Sequence, residues 1–140
     1  MNNMERMMNR LQELLQKPFW VIDILPEQVK SDRSGQYFEV EKFFLKDKDL
    51  RKKQLNVILK LNCYYDIRVW IDSEPVENPS PNKVKELIGK VHLNVEIEDA
   101  LIMIDDADTH MTIFNADGKL LEMVKQLVAA EGMFMWEPTV

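Results

Sequence analysis

A chain of 140 residues with 46% hydrophobic and 30% charged side chains, four glycines and six prolines fits one ordinary globular domain spanning residues 1–140, and excludes a low-complexity polypeptide. The net charge of −6 is uneven: residues 1–63 carry 12 Lys/Arg against 9 Asp/Glu, and residues 64–140 carry 6 against 15. No cation lies between Lys90 and Lys119, where Glu96, Glu98, Asp99, Asp105, Asp106, Asp108 and Asp117 accumulate, so nucleic-acid binding, which needs Lys/Arg to displace counterions, is disfavoured.

Met4, Met7, Met8, Leu11, Leu14 and Leu15 recur at three- and four-residue steps, which predicts an amphipathic first helix ended by Pro18. This helix is expected to cover the chain's own sheet, and residues 4–15 are also the stripe through which a homo-oligomer would form. The run Phe19–Leu25 is too apolar for a strand with one wet face and reads as a central strand covered on both sides. Asp23 is its odd member, either a structural acceptor or a site carboxyl with a raised pKa, and the structural role is the expectation. After a charged loop, Gln36–Leu45 reads as a strand with a bulge near Lys42, because Phe38 and Val40 alternate with Tyr37, Glu39 and Glu41. Asp47 or Asp49 caps a helix over about Leu50 to Asn62, whose Arg51, Lys52 and Lys53 read as a solvated basic turn. Cys63, the single cysteine, rules out an internal disulfide and is expected to be a buried, inert thiol.

Tyr65, Ile67, Val69 and Ile71 alternate with Tyr64, Asp66, Arg68, Trp70 and Asp72, one of the clearest two-residue periods in the chain. A proline-rich connector over Glu74–Pro81 and a short helix to Lys90 follow. Leu93–Glu98, Leu101–Ile104 and His110–Phe114 form an antiparallel meander. The last unit is a helix from Lys119 to Glu131, capped by Asn115 or Asp117 and closed by Gly132, and then a strand over Met133–Trp136. Strands that meet as sequence neighbours imply an α+β fold: a mixed, mostly antiparallel sheet with helices covering one face. An α/β three-layer arrangement is the alternative. No apolar run approaches the roughly 20 residues of a membrane helix, and polar residues stand where a signal peptide would be apolar, so a cytoplasmic protein without membrane contact is expected.

Nucleotide-loop, nucleophile-elbow and zinc-protease signatures are absent, and no catalytic residue or cofactor is assigned. The Asp105, Asp106, Asp108 and His110 hairpin has oxygen and nitrogen donors for a divalent ion, which makes a small metal-dependent enzyme the alternative. The spacing departs from an EF-hand, however, and Asp-rich turns arise from carboxylates that accept turn N–H groups. The leading expectation is a non-enzymatic module that docks a basic protein on an acidic sheet face built from Tyr64, Asp66, Arg68, Trp70, Glu96 and Glu98. Pro18-Phe-Trp-Val-Ile-Asp-Ile-Leu-Pro26 and Ala130-Glu-Gly-Met-Phe-Met-Trp-Glu-Pro138 resemble segments of small uncharacterised bacterial cytoplasmic proteins, a likeness that implies no activity and no site residue. In size and charge the chain also looks like immunity proteins that neutralise basic toxins, without a shared motif.

Overall fold

The computed structural model describes residues 2–138 as one seven-stranded sheet with helices on both faces. Helix α1 (Asn3–Leu14) leads into β1 (Phe19–Asp23). Helices α2 (Ser34–Leu45) and α3 (Lys48–Asn62) follow, then a hairpin of β2 (Arg68–Ile71) and β3 (Glu74–Glu77). After α4 (Pro81–Leu87) come the meander β4 (Leu93–Ile97), β5 (Ala100–Ile104) and β6 (Met111–Phe114), then α5 (Gly118–Ala130) and β7 (Phe134–Trp136). The order across the sheet is β3-β2-β4-β5-β6-β1-β7, and every neighbouring pair is antiparallel. The fold is therefore α+β, and the parallel crossovers of the α/β alternative do not occur, although helices cover both faces and not the one expected, because α1 packs on the reverse side.

The register sorts the side chains. Val69, Val95, Ile102, Ile113 and Ile22 share one face, with Val69 opposite Val95, Val95 opposite Ile102, and Ile102 opposite Ile113. They join Val57, Ile58 and Leu61 of α3, Val84 of α4, and Leu120, Val124 and Val128 of α5 in the main core. Each such side chain contributes about 1.5–3 kcal/mol by leaving water. On the reverse face Leu14 of α1 packs against Leu101 and Phe114. No helix among the described residues is long and apolar enough to cross a membrane.

Four expectations are corrected. Residues 34–45 are a helix and not a strand: Ser34, Tyr37, Val40, Glu41, Phe44 and Leu45, at helical steps, are the half-buried set, while Phe38 and Phe43 are exposed. The first strand lies second from the sheet edge, between β6 and β7, and only its Ile22 and Asp23 are buried. The proline-rich connector contains a paired edge strand, because Asp72 and Ser73 both take positive φ (50° and 65°), which closes a tight hairpin, and Pro75 is tolerated at an edge. Cys63 is exposed, since the turn after α3 faces outward.

Gly89 has φ +81°, and a Cβ there would lie 2.8 Å from Nε of Arg51. Gly89→Ala is therefore expected to cost about 1–2 kcal/mol, from left-handed backbone strain and displacement of Arg51. A denaturation midpoint equal to that of the parent would contradict both the backbone strain and the contact with Arg51.

Candidate functional site

The acidic residues do not form one surface. Strands β4 and β5 pair Leu93 with Ile104 and Ile97 with Ala100, so Glu98 and Asp99 lie at one end of the meander and Asp105 to Asp108 at the other. Five-residue strands hold these ends roughly 14 Å apart. Several of these residues also meet cations from the first half of the chain: Arg10 lies 3.8 Å from Asp99, and Lys60 lies 3.5 Å from Glu131.

At the Asp105 end, Arg51 organises the hairpin from beneath. Its guanidinium donates to the carbonyls of Asp105 (3.1 Å), Asp106 (3.1 Å) and Asp108 (3.2 Å), and to Oε1 of Gln54 (3.0 Å). Gln54, fully buried, donates in turn to the Thr109 carbonyl. A rigid planar fork suits this task, because several carbonyls turned toward one point need one donor array to satisfy them. The Asp105 carboxylate accepts from the Ala107 N–H at 3.0 Å, and this bond holds its pKa below the ordinary value.

Near the clamp, one pocket of about 320 Å³ is lined by Asp23 at the end of β1, Tyr37 in the first turn of α2 and His110 entering β6, with Glu27 and Lys30 from the loop after β1 as its other titratable groups. Val21, Val29, Trp136 and Pro138 supply its apolar walls. Asp23 and Tyr37 are each held by hydrogen bonds, and His110 faces a second carboxyl without one. Asp23, 4% exposed, accepts from the Thr109 hydroxyl at 3.1 Å and from the Ile24 N–H at 2.7 Å. The Tyr37 hydroxyl donates to Glu41 at 3.0 Å, an i,i+4 pair on α2. Nδ1 of His110 lies 3.5 Å from Oδ1 of Asp108, an ion-pair distance without hydrogen-bond geometry, and that oxygen is buried with no hydrogen-bond partner among the described residues.

Burial sets the electrostatics. It raises the Asp23 carboxyl above its ordinary pKa, against the opposing hydrogen bonds from Ile24 and Thr109 and the nearby His110. Asp108 is raised for the same first reason, and the facing His110 opposes it. Burial, then the hydrogen bond to Glu41, pushes the Tyr37 hydroxyl up to about 12. A spectroscopic alkaline titration should therefore retain a tyrosine step between the ordinary value of about 10 and about 12 that disappears in Tyr37→Phe. Complete ionisation near the ordinary value would contradict the packing of α2 against this pocket.

The residues expected to form a docking face are only partly brought together. Asp66, Arg68, Glu96 and Glu98 line one hollow of about 180 Å³ with Glu77, at the opposite end of the meander from Asp23. Arg68 lies 2.6 Å from Glu77 and 3.6 Å from Glu96. Trp70, 8% exposed, is an interior residue whose indole N–H donates to Glu96 at 3.2 Å, and so it offers no docking area. Tyr64 is 70% exposed but lies in the turn after α3, beside Lys119 and Glu122 of α5 and away from the hollow. On α1, Met4, Met8 and Leu15 are exposed, while Leu14 is buried and Leu11 half-buried. Of the proposed metal ligands, Asp108 and His110 approach one another and Asp105 is spent on its own turn. Among the described residues no three His, Cys, Asp or Glu groups assemble as ligands.

Sequence reasoning flagged Asp23, Asp108 and His110 separately but missed Tyr37, Glu41 and Trp136. The Tyr37–Glu41 pair is legible only once residues 34–45 are helical, since in a strand the two side chains would be about 13 Å apart. No family model, curated protein or solved structure matches this chain.

Proposed function

We propose that the protein binds a small organic amine in the Asp23 pocket and exchanges protons with it through Asp23 and His110. The observation that carries this reading is the convergence on one pocket of ligand size of a carboxyl and a phenol, each held by a hydrogen bond, and an imidazole that faces Asp108. Asp23 is raised chiefly because its anion is buried. An ammonium placed beside it supplies the missing counter-charge, favours the carboxylate and releases a proton. Tyr37 and Trp136 put aromatic side chains in the lining, and Glu27 in the lining, with Glu41 beside Tyr37 and Asp108 beside His110, outweighs Lys30, which selects a cation over an anion. The setting is the cytoplasm, where the exposed thiol of Cys63 stays reduced. Calorimetry with benzylamine as probe and benzyl alcohol as neutral control tests it. Saturable amine binding with proton release is expected, with the alcohol weaker by at least about tenfold, roughly 1.4 kcal/mol. Equal binding of the two probes, or none of either, overturns the reading.

A second reading keeps a protein partner. Four carboxylates, Asp66, Glu77, Glu96 and Glu98, line the hollow with one guanidinium, that of Arg68, which pairs with Glu77 and Glu96, and this net negative recess accepts a lysine or arginine from a basic protein, of which a toxin met by an immunity-type inhibitor is one form. It requires that a lysine-rich peptide bind with strong salt dependence and be lost on Glu77→Lys with Glu98→Lys. Binding that survives the charge reversal removes it.

A further inference from the structure

We propose that the cleft between the α2–α3 turn, the first turns of α3 and the end of α4 binds a compact phosphorylated organic molecule. Lys46, Lys48, Lys52, Lys85 and Lys90 line it. Among the described residues none of these five lysines is in an ion pair; the lysines that are so held are Lys42, Lys60, Lys83 and Lys125, all outside the cleft. The carboxylates of the cleft are Asp47 and Asp49, and Asp47 already accepts from the Asp49 N–H at 3.0 Å as the cap of α3. Five ammonium groups against two carboxylates reverse the sign of a chain whose net charge is −6. Their mutual repulsion is relieved by a bound anion, and the positive end of the 15-residue helix α3 adds to the same field.

The shape of the cleft narrows the ligand. Its volume of about 600 Å³ falls within the roughly 300–1,000 Å³ range of organic-ligand sites. Leu45, Leu55 and Ile88 give it an apolar floor, with Leu55 and Ile88 buried. Inorganic phosphate would leave that floor uncovered. An extended nucleic acid would have to cross the acidic remainder of the surface, where the cations thin out and the carboxylates repel its backbone. A phosphorylated molecule with a ring or short apolar body meets both requirements. Arg51 also lines the cleft, but its guanidinium is committed to the hairpin carbonyls, so the flexible lysines supply the charge. This site is distinct from the amine pocket and stands or falls independently of it.

Calorimetry and thermal melting of the full chain with ATP, pyrophosphate and adenosine as probes test the proposal, with a duplex oligonucleotide as competitor. ATP is expected to bind saturably and raise the melting temperature, pyrophosphate to bind more weakly, and adenosine to have no effect. Lys52→Ala with Lys85→Ala should weaken ATP by at least about tenfold, while the unliganded melting temperature reports that the variant is folded. Asp23→Asn should leave ATP affinity unchanged. The proposal is overturned by absence of saturable ATP binding, or by ATP affinity that survives the lysine double variant. Pyrophosphate equal to ATP would remove the organic half of the ligand, and an oligonucleotide that displaces ATP more tightly than ATP binds would make the site one for nucleic acid.

Discussion

Arg51→Ala is expected to lower stability by about 3 kcal/mol, or the melting temperature by roughly 10 °C for a domain of this size. Three main-chain carbonyls and the Gln54 side chain all accept from this guanidinium. Hydrogen bonds to a charged group contribute about 1.5–3 kcal/mol each when counted singly, but water replaces part of the loss at the exposed rim of the hairpin. The Gln54 amide is fully buried, and without Arg51 its carbonyl oxygen loses that donor. Arg51→Lys should recover little, because one ammonium on a flexible stem cannot span the same carbonyls. Both variants should also disturb the backbone amide resonances of Asp108, Thr109 and His110, because the clamp sets where those residues stand. A loss below about 1 kcal/mol would place this guanidinium among ordinary surface cations.

Asp23→Asn is expected to act in two opposite directions. The folded carboxyl has its pKa raised above 3.8 chiefly by burial, so the native state holds a proton that the unfolded chain releases. Its contribution is fully present below the unfolded pKa and is lost as pH rises through the folded value, which leaves a burdened native state near neutral pH. Asparagine keeps an oxygen to accept from Ile24 and Thr109 and carries no charge to bury. Stability near neutral pH should therefore rise by about 1 kcal/mol, roughly 3 °C, with its acidic-range pH dependence flattened. Benzylamine binding should fall by more than about tenfold over the same substitution, because the ion pair is gone. A variant both less stable and fully competent for the amine would assign Asp23 a purely structural part.

The contrast between these residues explains how much of the chain is legible in its sequence. The meander, the first, third and last helices, and Gly132, which has φ +74°, follow from periodicity and the glycine stop, because there the buried set is apolar and the exposed set polar, although Asp117 takes the N-cap place of α5 without a side-chain capping bond. Helix α2 breaks that correspondence. Its inward positions include Tyr37, which lines the pocket, and Glu41, which accepts from it, and its outward positions include Phe38 and Phe43, so apolar residues fall on both faces and mimic a strand. The local rule fails where polar side chains have been placed inward for a site. Asp23 is visible as an anomaly within an apolar strand, but its side-chain partner Thr109 comes from 86 positions away and could not be read locally. The charge runs misled for a related reason. A meander folds neighbouring acidic segments to opposite ends of the sheet, whereas lysines from residues 46–52 and 85–90, unremarkable apart, meet across one cleft.

The most direct measurement is the side-chain carboxyl carbon shift of Asp23 followed by NMR as a function of pH, with and without benzylamine. The expected midpoint lies above the ordinary aspartate value and drops when the amine is added. A midpoint at or below that value, indifferent to the amine, would contradict a buried carboxyl waiting for a cationic partner.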